Sequence, residues 1–215
     1  MSAFGAMVRR DLARAFAGGG VVLPLIFFLL VATLFPFAIG TDAVLLARVG
    51  GGALWTAALL AALLPIERLI APDQASGVLD QLAVRGLSEE EVAAARIVAH
   101  WLGFGPPLML AALPAAALLG LDGAALGRLE AGLALGTPGL AALSLATAAL
   151  TAGLRGAGAL AGLVMLPLAV PLLIFGAGAL GPQGAGAFKL LGACSLLLLA
   201  GAPFVAGAAL RAARE

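Results

Sequence analysis

The chain has 215 residues, of which 63% are hydrophobic and 11% charged, and its formal net charge is +1. A soluble domain has about 45–50% apolar and about 25% charged residues, and a disordered chain combines low hydrophobicity with high charge, so both classes are excluded. The balanced charge gives no basic field for nucleic acid, and one cysteine with one histidine gives no Cys/His metal cluster, so we expect an all-α protein whose solvent is lipid.

The N-terminal segment is amphipathic. Phe4, Val8, Leu12 and Phe16 recur every four residues and share one helical face, while most of the neighbouring charges lie away from it. We expect a helix lying in the membrane interface before the chain turns at glycines 18–20. The alternative is a basic flank that only sets the topology.

Long stretches without charge predict six membrane-spanning helices, since one span needs about 20 apolar residues. The runs are apolar throughout rather than alternating, which excludes barrel strands. The stretch 156–188 is longer than one span, and Pro182 and several glycines interrupt it. We therefore expect a helix end near Phe175–Ala179, followed by an irregular or re-entrant piece. The expected spans are 20–40, 49–66, 97–120, 131–154, 157–176 and 190–210.

The orientation follows from the distribution of lysine and arginine between the two ends of the spans. With six spans both termini lie on one side, and that side carries nine of the twelve basic residues. The positive-inside rule then places both termini in the cytoplasm. The nine are Arg9, Arg10, Arg14, Arg68, Arg85, Arg96, Arg155, Arg211 and Arg214, against Arg48, Arg128 and Lys189.

The segment 67–96 is the one sizeable hydrophilic stretch. We expect Pro72 to break the chain after the second span, and residues 77–84 to form a short helix that ends at Arg85. A capping-box pattern starting at Ser88 then predicts the start of a long helix entering the membrane. The segment is either a docking element for a soluble partner or a loop that its acidic residues keep solvated.

Prolines and glycines at membrane depth predict kinks or breaks in the helices. Such breaks suit a bundle that opens and closes as a gate, and equally a static bundle. The positions are Pro36, Pro106, Pro107, Pro167, Pro171, Gly176 and Gly178. His100 lies four residues into the third charge-free stretch. It is either a functional intramembrane group, such as a haem ligand or proton carrier, or an interfacial histidine beside Trp101.

An ordered set of short motifs along nearly the whole chain resembles the CcmB family, the membrane subunit of the haem exporter of cytochrome c maturation. Mild departures are Glu67 and Asp80, where the family more often has Asp and Glu, and Pro65. The matching motifs are LFPFAIG at 34–40, LWTAALLA at 54–61, ERL at 67–69, Asp73, Gly77, LDQL at 79–82, RIVAHWL at 96–102, GTP at 136–138, LPLAVPLLIFGAG at 166–178 and APF at 202–204.

This resemblance implies a six-helix permease similar to type-2 ABC exporters, in a bacterial inner membrane. It also implies a separate CcmA-like ATPase that binds ATP and Mg, CcmC-like and CcmD-like membrane subunits, and two permease copies per complex. Haem would be handled by the complex, with no cofactor bound by this chain. The sequence itself contains no G-x-x-x-x-G-K-[ST] motif for ATP phosphates.

By the same resemblance, the short helix after the second span would be the coupling helix that fits a groove on the ATPase, with Leu79 and Leu82 burying their side chains in the partner. The residues implied in this contact are Asp73, Gly77, Val78, Leu79, Asp80, Gln81 and Leu82. The subunit would couple ATP hydrolysis to release of a haem-loaded chaperone.

Two other function classes are a stand-alone secondary transporter and a structural membrane subunit. A secondary transporter should carry paired charges at mid-membrane or an inverted repeat. An intramembrane enzyme would need catalytic groups such as a histidine with carboxylates. No Asp, Glu, Lys or Arg lies well inside a predicted span, which disfavours both the transporter and the enzyme.

Overall fold

The computed structural model describes residues 2–40, 42–181 and 184–213, and this part of the chain forms nine α-helices. The helices are α1 (Ala3–Ala17), α2 (Val22–Ile39), α3 (Ala43–Leu63), α4 (Ile66–Ala75), α5 (Val78–Val84), α6 (Glu89–Leu118), α7 (Gly123–Thr151), α8 (Ala157–Gly178) and α9 (Gly184–Ala212).

Within the described ranges, six helical segments are long and apolar enough to cross a membrane. They are α2, α3 together with α4, α6, α7, α8 and α9. The short helix α1 begins where the Ser2 hydroxyl accepts a hydrogen bond from the Gly5 amide. The predicted all-α fold with six spans is therefore confirmed.

Several helices extend beyond the charge-free runs used to predict them. α3 begins at Ala43 and includes Arg48, and α7 begins at Gly123, both earlier than the predicted spans. The reason is capping: the Asp42 carboxylate accepts from two amides of α3, and the Asp122 carboxylate accepts from an amide of α7. A helix ends where its caps lie, not where its apolar stretch ends.

The chain after Phe175 contains the predicted helix end. α8 ends at Gly178, where a helix end was expected, and residues 179–181 form a turn. The short irregular piece expected after that helix end is therefore present at residues 179–181, but α9 begins at Gly184 and not near residue 190 as predicted. Pro182, which contributed to that prediction, lies outside the described residues.

The prolines predicted to break helices lie inside continuous ones. α2, α6 and α8 each run through their prolines, because a proline removes one backbone hydrogen bond while the surrounding turns keep theirs. The predicted breaks at these positions are therefore wrong. The positions are Pro36, Pro106, Pro107, Pro167 and Pro171. Gly178, also predicted as a break, is the last residue of α8.

The core contains a tryptophan seated against glycines. Trp55 of α3 is fully buried, and a Cβ atom at Gly136 of α7 would lie 2.5 Å from its Cη2. At Gly176 of α8 the corresponding distance to Cε2 would be 2.3 Å. Gly176, predicted as a helix break, instead lets α8 approach the indole ring.

The first described helix, α1, and the last turn of α9 lie at the same end of the bundle. α1 packs on α6, and Arg211 in the last turn of α9 forms ion pairs with Glu89 and Glu90 at the start of α6. We call this the charged end: α1, α4, α5, the first turns of α6 and the last turn of α9. An even number of spans requires this arrangement. Arg214, counted in the basic bias, lies outside the described residues.

Candidate functional site

The hydrophilic segment after the second span is mostly helical. α4 runs from Ile66 to Ala75 through Pro72, so the predicted chain break at Pro72 is wrong. Pro72 has no amide hydrogen, so one helical hydrogen bond is missing, but the helix continues for three more residues to Ala75. The chain turns at Gly77, whose φ of 70° lies in the left-handed region that glycine adopts without strain.

The short helix predicted at residues 77–84 is present as α5, Val78–Val84. Arg85 and Gly86 follow it as predicted, and Gly86 has a φ of 80°. The Ser88 hydroxyl then accepts a hydrogen bond of 3.1 Å from the Glu91 amide, which caps the start of α6. The prediction of a short helix, a turn and a capped helix in this segment is confirmed.

The side chains that α5 exposes are not the leucines that were predicted to contact a partner. Leu79 is buried in the core of the chain itself, and Leu82 packs against that core. The expectation that Leu79 inserts into a partner is therefore wrong in this conformation, because the chain's own helices already cover the side chain. The outward residues are Asp80, Gln81 and Val84, and Val84 is 89% exposed.

Asp73 is buried and bound within the chain. Its carboxylate accepts hydrogen bonds from Arg10 at 2.8 Å and Arg14 at 2.6 Å, and also from Arg96. Asp73 is only 4% exposed, so it is a tie between elements rather than a surface contact for a partner. We call Asp73 and these three arginines the Asp73 cluster.

The Asp73 cluster joins three helices. Arg10 and Arg14 come from α1, Asp73 from α4 and Arg96 from α6. Arg96 is 5% exposed, and its guanidinium also donates a 2.7 Å hydrogen bond to the Leu69 carbonyl. The hydrogen bond from Arg14 to the Asp73 carboxylate raises the pKa of Arg14 above its ordinary value.

In the sequence, the arginines of α1 look like charges that flank the first span. The spacing of two of them indicates a shared partner, because Arg10 and Arg14 lie four residues apart on one helical face. Their acceptor lies about 60 residues further along the chain, and no local pattern identifies it. The predicted amphipathic helix itself is present as α1, with Phe4 and Val8 packed against the core.

His100 lies one turn beyond Arg96 on α6. The side chain is half-buried, and its ring stacks on Phe104 with 5.8 Å between ring centres and an interplanar angle of 22°. Its Nε2 atom is buried and has no hydrogen-bond partner. Among the described residues no group of three His, Cys, Asp or Glu side chains is placed to hold a metal ion.

Comparison with known sequences covers the chain almost from end to end. The sequence model of the CcmB protein family matches residues 2–213. The chain is 47% identical over 212 residues to heme exporter protein B of Paracoccus denitrificans, covering 96% of this chain and 97% of that protein.

Two further relatives carry the same description. The chain is 42% identical to heme exporter protein B of Bradyrhizobium diazoefficiens, with 98% of each chain covered. It is 40% identical to the Escherichia coli K12 protein of that name, covering 87% of this chain and 88% of that protein. The range matched by the family model, residues 2–213, includes α1, the Asp73 cluster and α5.

Proposed function

The chain belongs to the CcmB protein family, and from this membership we propose that it is the membrane-spanning permease subunit of a haem exporter serving cytochrome c maturation. The subunit is not an enzyme: a separate, CcmA-like chain binds ATP and Mg and hydrolyses the nucleotide. The names of its relatives and the six long apolar helices support this proposal.

The charged end of the bundle receives the movement of the ATPase. This role is supported by α5, a seven-residue helix with one face packed on the core and the other exposed. Val84 offers the partner a large apolar side chain, and Asp80 and Gln81 provide polar contacts beside it. An exposed apolar anchor within a polar rim is the usual form of a protein contact.

The Asp73 cluster carries the movement inward. α5 follows α4 after one glycine turn, and Asp73 on α4 is tied to Arg96 on the spanning helix α6. A displacement of α5 by a partner therefore acts on α6 through ion pairs, and on α1 through Arg10 and Arg14. Leu79 holds α5 against the core, so the short helix moves together with α4.

The exporter complex contains further subunits. CcmC-like and CcmD-like membrane proteins accompany two copies of this chain in the bacterial inner membrane. In each copy both termini lie in the cytoplasm. Haem is handled by the complex, while this chain binds no cofactor and couples hydrolysis to release of the haem-loaded chaperone.

The test is Val84→Glu in the intact complex, purified through a tag on this chain. Full burial of a valine stabilises a contact by about 1.5–3 kcal/mol, which corresponds to about tenfold to a hundredfold in affinity. We expect the ATPase to be lost from the purified complex and holocytochrome c formation to fall with it.

Val44→Glu is the matched control, because Val44 is also exposed but lies at the start of α3, at the opposite end of the bundle. We expect this variant to retain the ATPase. Wild-type ATPase yield and holocytochrome c formation in Val84→Glu would contradict the coupling role of α5. Absence of any ATPase from the wild-type preparation would favour a stand-alone transporter or structural subunit.

A further inference from the structure

A cavity of about 330 Å³ lies between α1, the turn leading into α2, α4 and α6. Its walls change in character with depth. On α6 they run from Arg96 past His100 to Phe104, eight residues or about 12 Å along the axis. Val21 and Pro24 at the start of α2 add further apolar wall. The cavity is therefore charged at one end and apolar at the other.

The charged part of the cavity carries more positive than negative charge. Arg14, Arg68, Arg96, Asp11 and Asp73 line it, and Arg10 binds both carboxylates from the side. Four arginines against two aspartates leave an excess of two positive charges. Arg68 donates a 3.3 Å hydrogen bond to the Gly18 carbonyl. No carboxylate of the described residues lies within ion-pair distance of Arg68.

Two buried nitrogen atoms of the lining lack a hydrogen bond. They are Nε of Arg96, which is 3.9 Å from Oδ2 of Asp11, and Nε2 of His100. Buried polar atoms are normally paired, so two unpaired nitrogens on one stretch of α6 indicate a missing acceptor. A phosphate group offers several acceptor oxygens, and its negative charge would balance the two excess positive charges of the arginines.

The surroundings select a lipid as the source of the phosphate. α1 is an amphipathic helix whose Phe16 is exposed, and α2 starts beside the cavity with Val22, Leu23 and Ile26 exposed. Acyl chains cover such a surface, and basic residues near the membrane surface attract anionic lipids. A soluble phosphate would leave the apolar end of the cavity unfilled.

We propose that this cavity binds an anionic phospholipid. The headgroup phosphate lies between Arg68, Arg96 and His100, and the first part of an acyl chain lies against Val21, Pro24 and Phe104. The lipid fills the space that α1 and α6 leave between them. It then acts as a structural partner of α1, and the inference does not depend on the proposed ATPase contact.

The experiment is native mass spectrometry of the full-length protein titrated with dioleoyl phosphatidylglycerol or dioleoyl phosphatidylcholine, which share the same acyl chains. We expect retention of one phosphatidylglycerol in preference to phosphatidylcholine. Arg68→Gln should weaken this binding about fivefold, the effect of one basic residue at an anionic surface. His100→Phe, which keeps the stacking on Phe104, should weaken it as well. Arg85→Gln is the control, because Arg85 is exposed at the same end but does not line the cavity.

Three results would overturn the proposal. Equal retention of both lipids would remove the anionic selectivity, and unchanged binding in both Arg68→Gln and His100→Phe would place the lipid elsewhere. Inorganic phosphate that protects the wild-type protein against heat as strongly as the lipid does would show a soluble-anion site instead. Unchanged size-exclusion profiles of the variants establish that they are folded.

Discussion

Replacing Asp73 by Asn removes the one carboxylate that binds three arginines at once. The asparagine keeps the size of the side chain and can still accept a hydrogen bond, but it carries no charge. Arg96, 5% exposed, then remains in the interior with only Asp11 nearby, and Asp11 stands 3.9 Å from its Nε. The perturbation is therefore an uncompensated buried charge rather than a cavity.

The magnitude follows from the burial of each partner. Breaking a buried ion pair by removing one member costs about 3–5 kcal/mol, whereas exposed pairs contribute about 0–1 kcal/mol. Arg10 and Arg14 have partly exposed side chains, so their pairs with Asp73 add little. Counting Arg96 as the buried partner and Asp11 as partial compensation, we expect a loss of about 3 kcal/mol, at the low end of that range.

The assay is thermal unfolding of the purified protein in detergent, followed by reaction of Cys194, the single cysteine of the chain, with a thiol-reactive fluorophore. A loss of about 3 kcal/mol should lower the midpoint by roughly 6–12 °C. The double variant Asp73→Asn/Arg96→Met also removes the buried cation, so it should recover part of the loss.

Two results would refute this reasoning. One is an Asp73→Asn protein that unfolds at the wild-type temperature, which would mean that Arg96 is solvated without its partner. The other is a double variant less stable than Asp73→Asn, which would mean that Arg96 stabilises the protein through its hydrogen bond to the Leu69 carbonyl rather than through charge.

Two further predictions concern packing and topology. Gly176→Ala places a methyl group against the Trp55 ring and should lower the free energy of unfolding by about 1–3 kcal/mol through overpacking. Gly162→Ala on the same helix meets open space and should leave it unchanged. Thermal midpoints check this, and equal midpoints of the two variants would contradict it. In a cysteine-free background, Val44→Cys should react with a membrane-impermeant thiol reagent in intact cells and Ser76→Cys should not; the reverse pattern would contradict cytoplasmic termini.

The sequence was sufficient to predict what depends on local composition. Apolar runs located all six spans, and glycine and serine signals located α5 and the start of α6. Span limits were less accurate, because Asp42 and Asp122 cap their helices outside the apolar runs. Prolines at membrane depth do not end α2, α6 or α8, since a helix in a packed bundle continues past one missing amide hydrogen bond.

What depends on distant parts of the chain could not be predicted in this way. Asp73 looks like a solvated loop acid in the sequence, and only the fold brings it to Arg10 and Arg14 of α1. Leu79 lies on the apolar face of a short amphipathic helix. The pattern of such a helix is the same whether its apolar face packs on its own chain or on a partner. The fit of Trp55 against glycines from two other helices likewise has no local signature.

The Asp73 cluster also affects the order in which the chain assembles during synthesis. Asp73 follows Arg14 by 59 residues, and Arg96 follows later still. At about 5–20 residues per second, the ribosome needs about 3–12 s to make that intervening chain. During this interval α1 exists without its acceptor, and only its own amphipathic character holds it at the bilayer surface. α1 is thus made well before α4, and its ion pairs with Asp73 form only after that helix has followed.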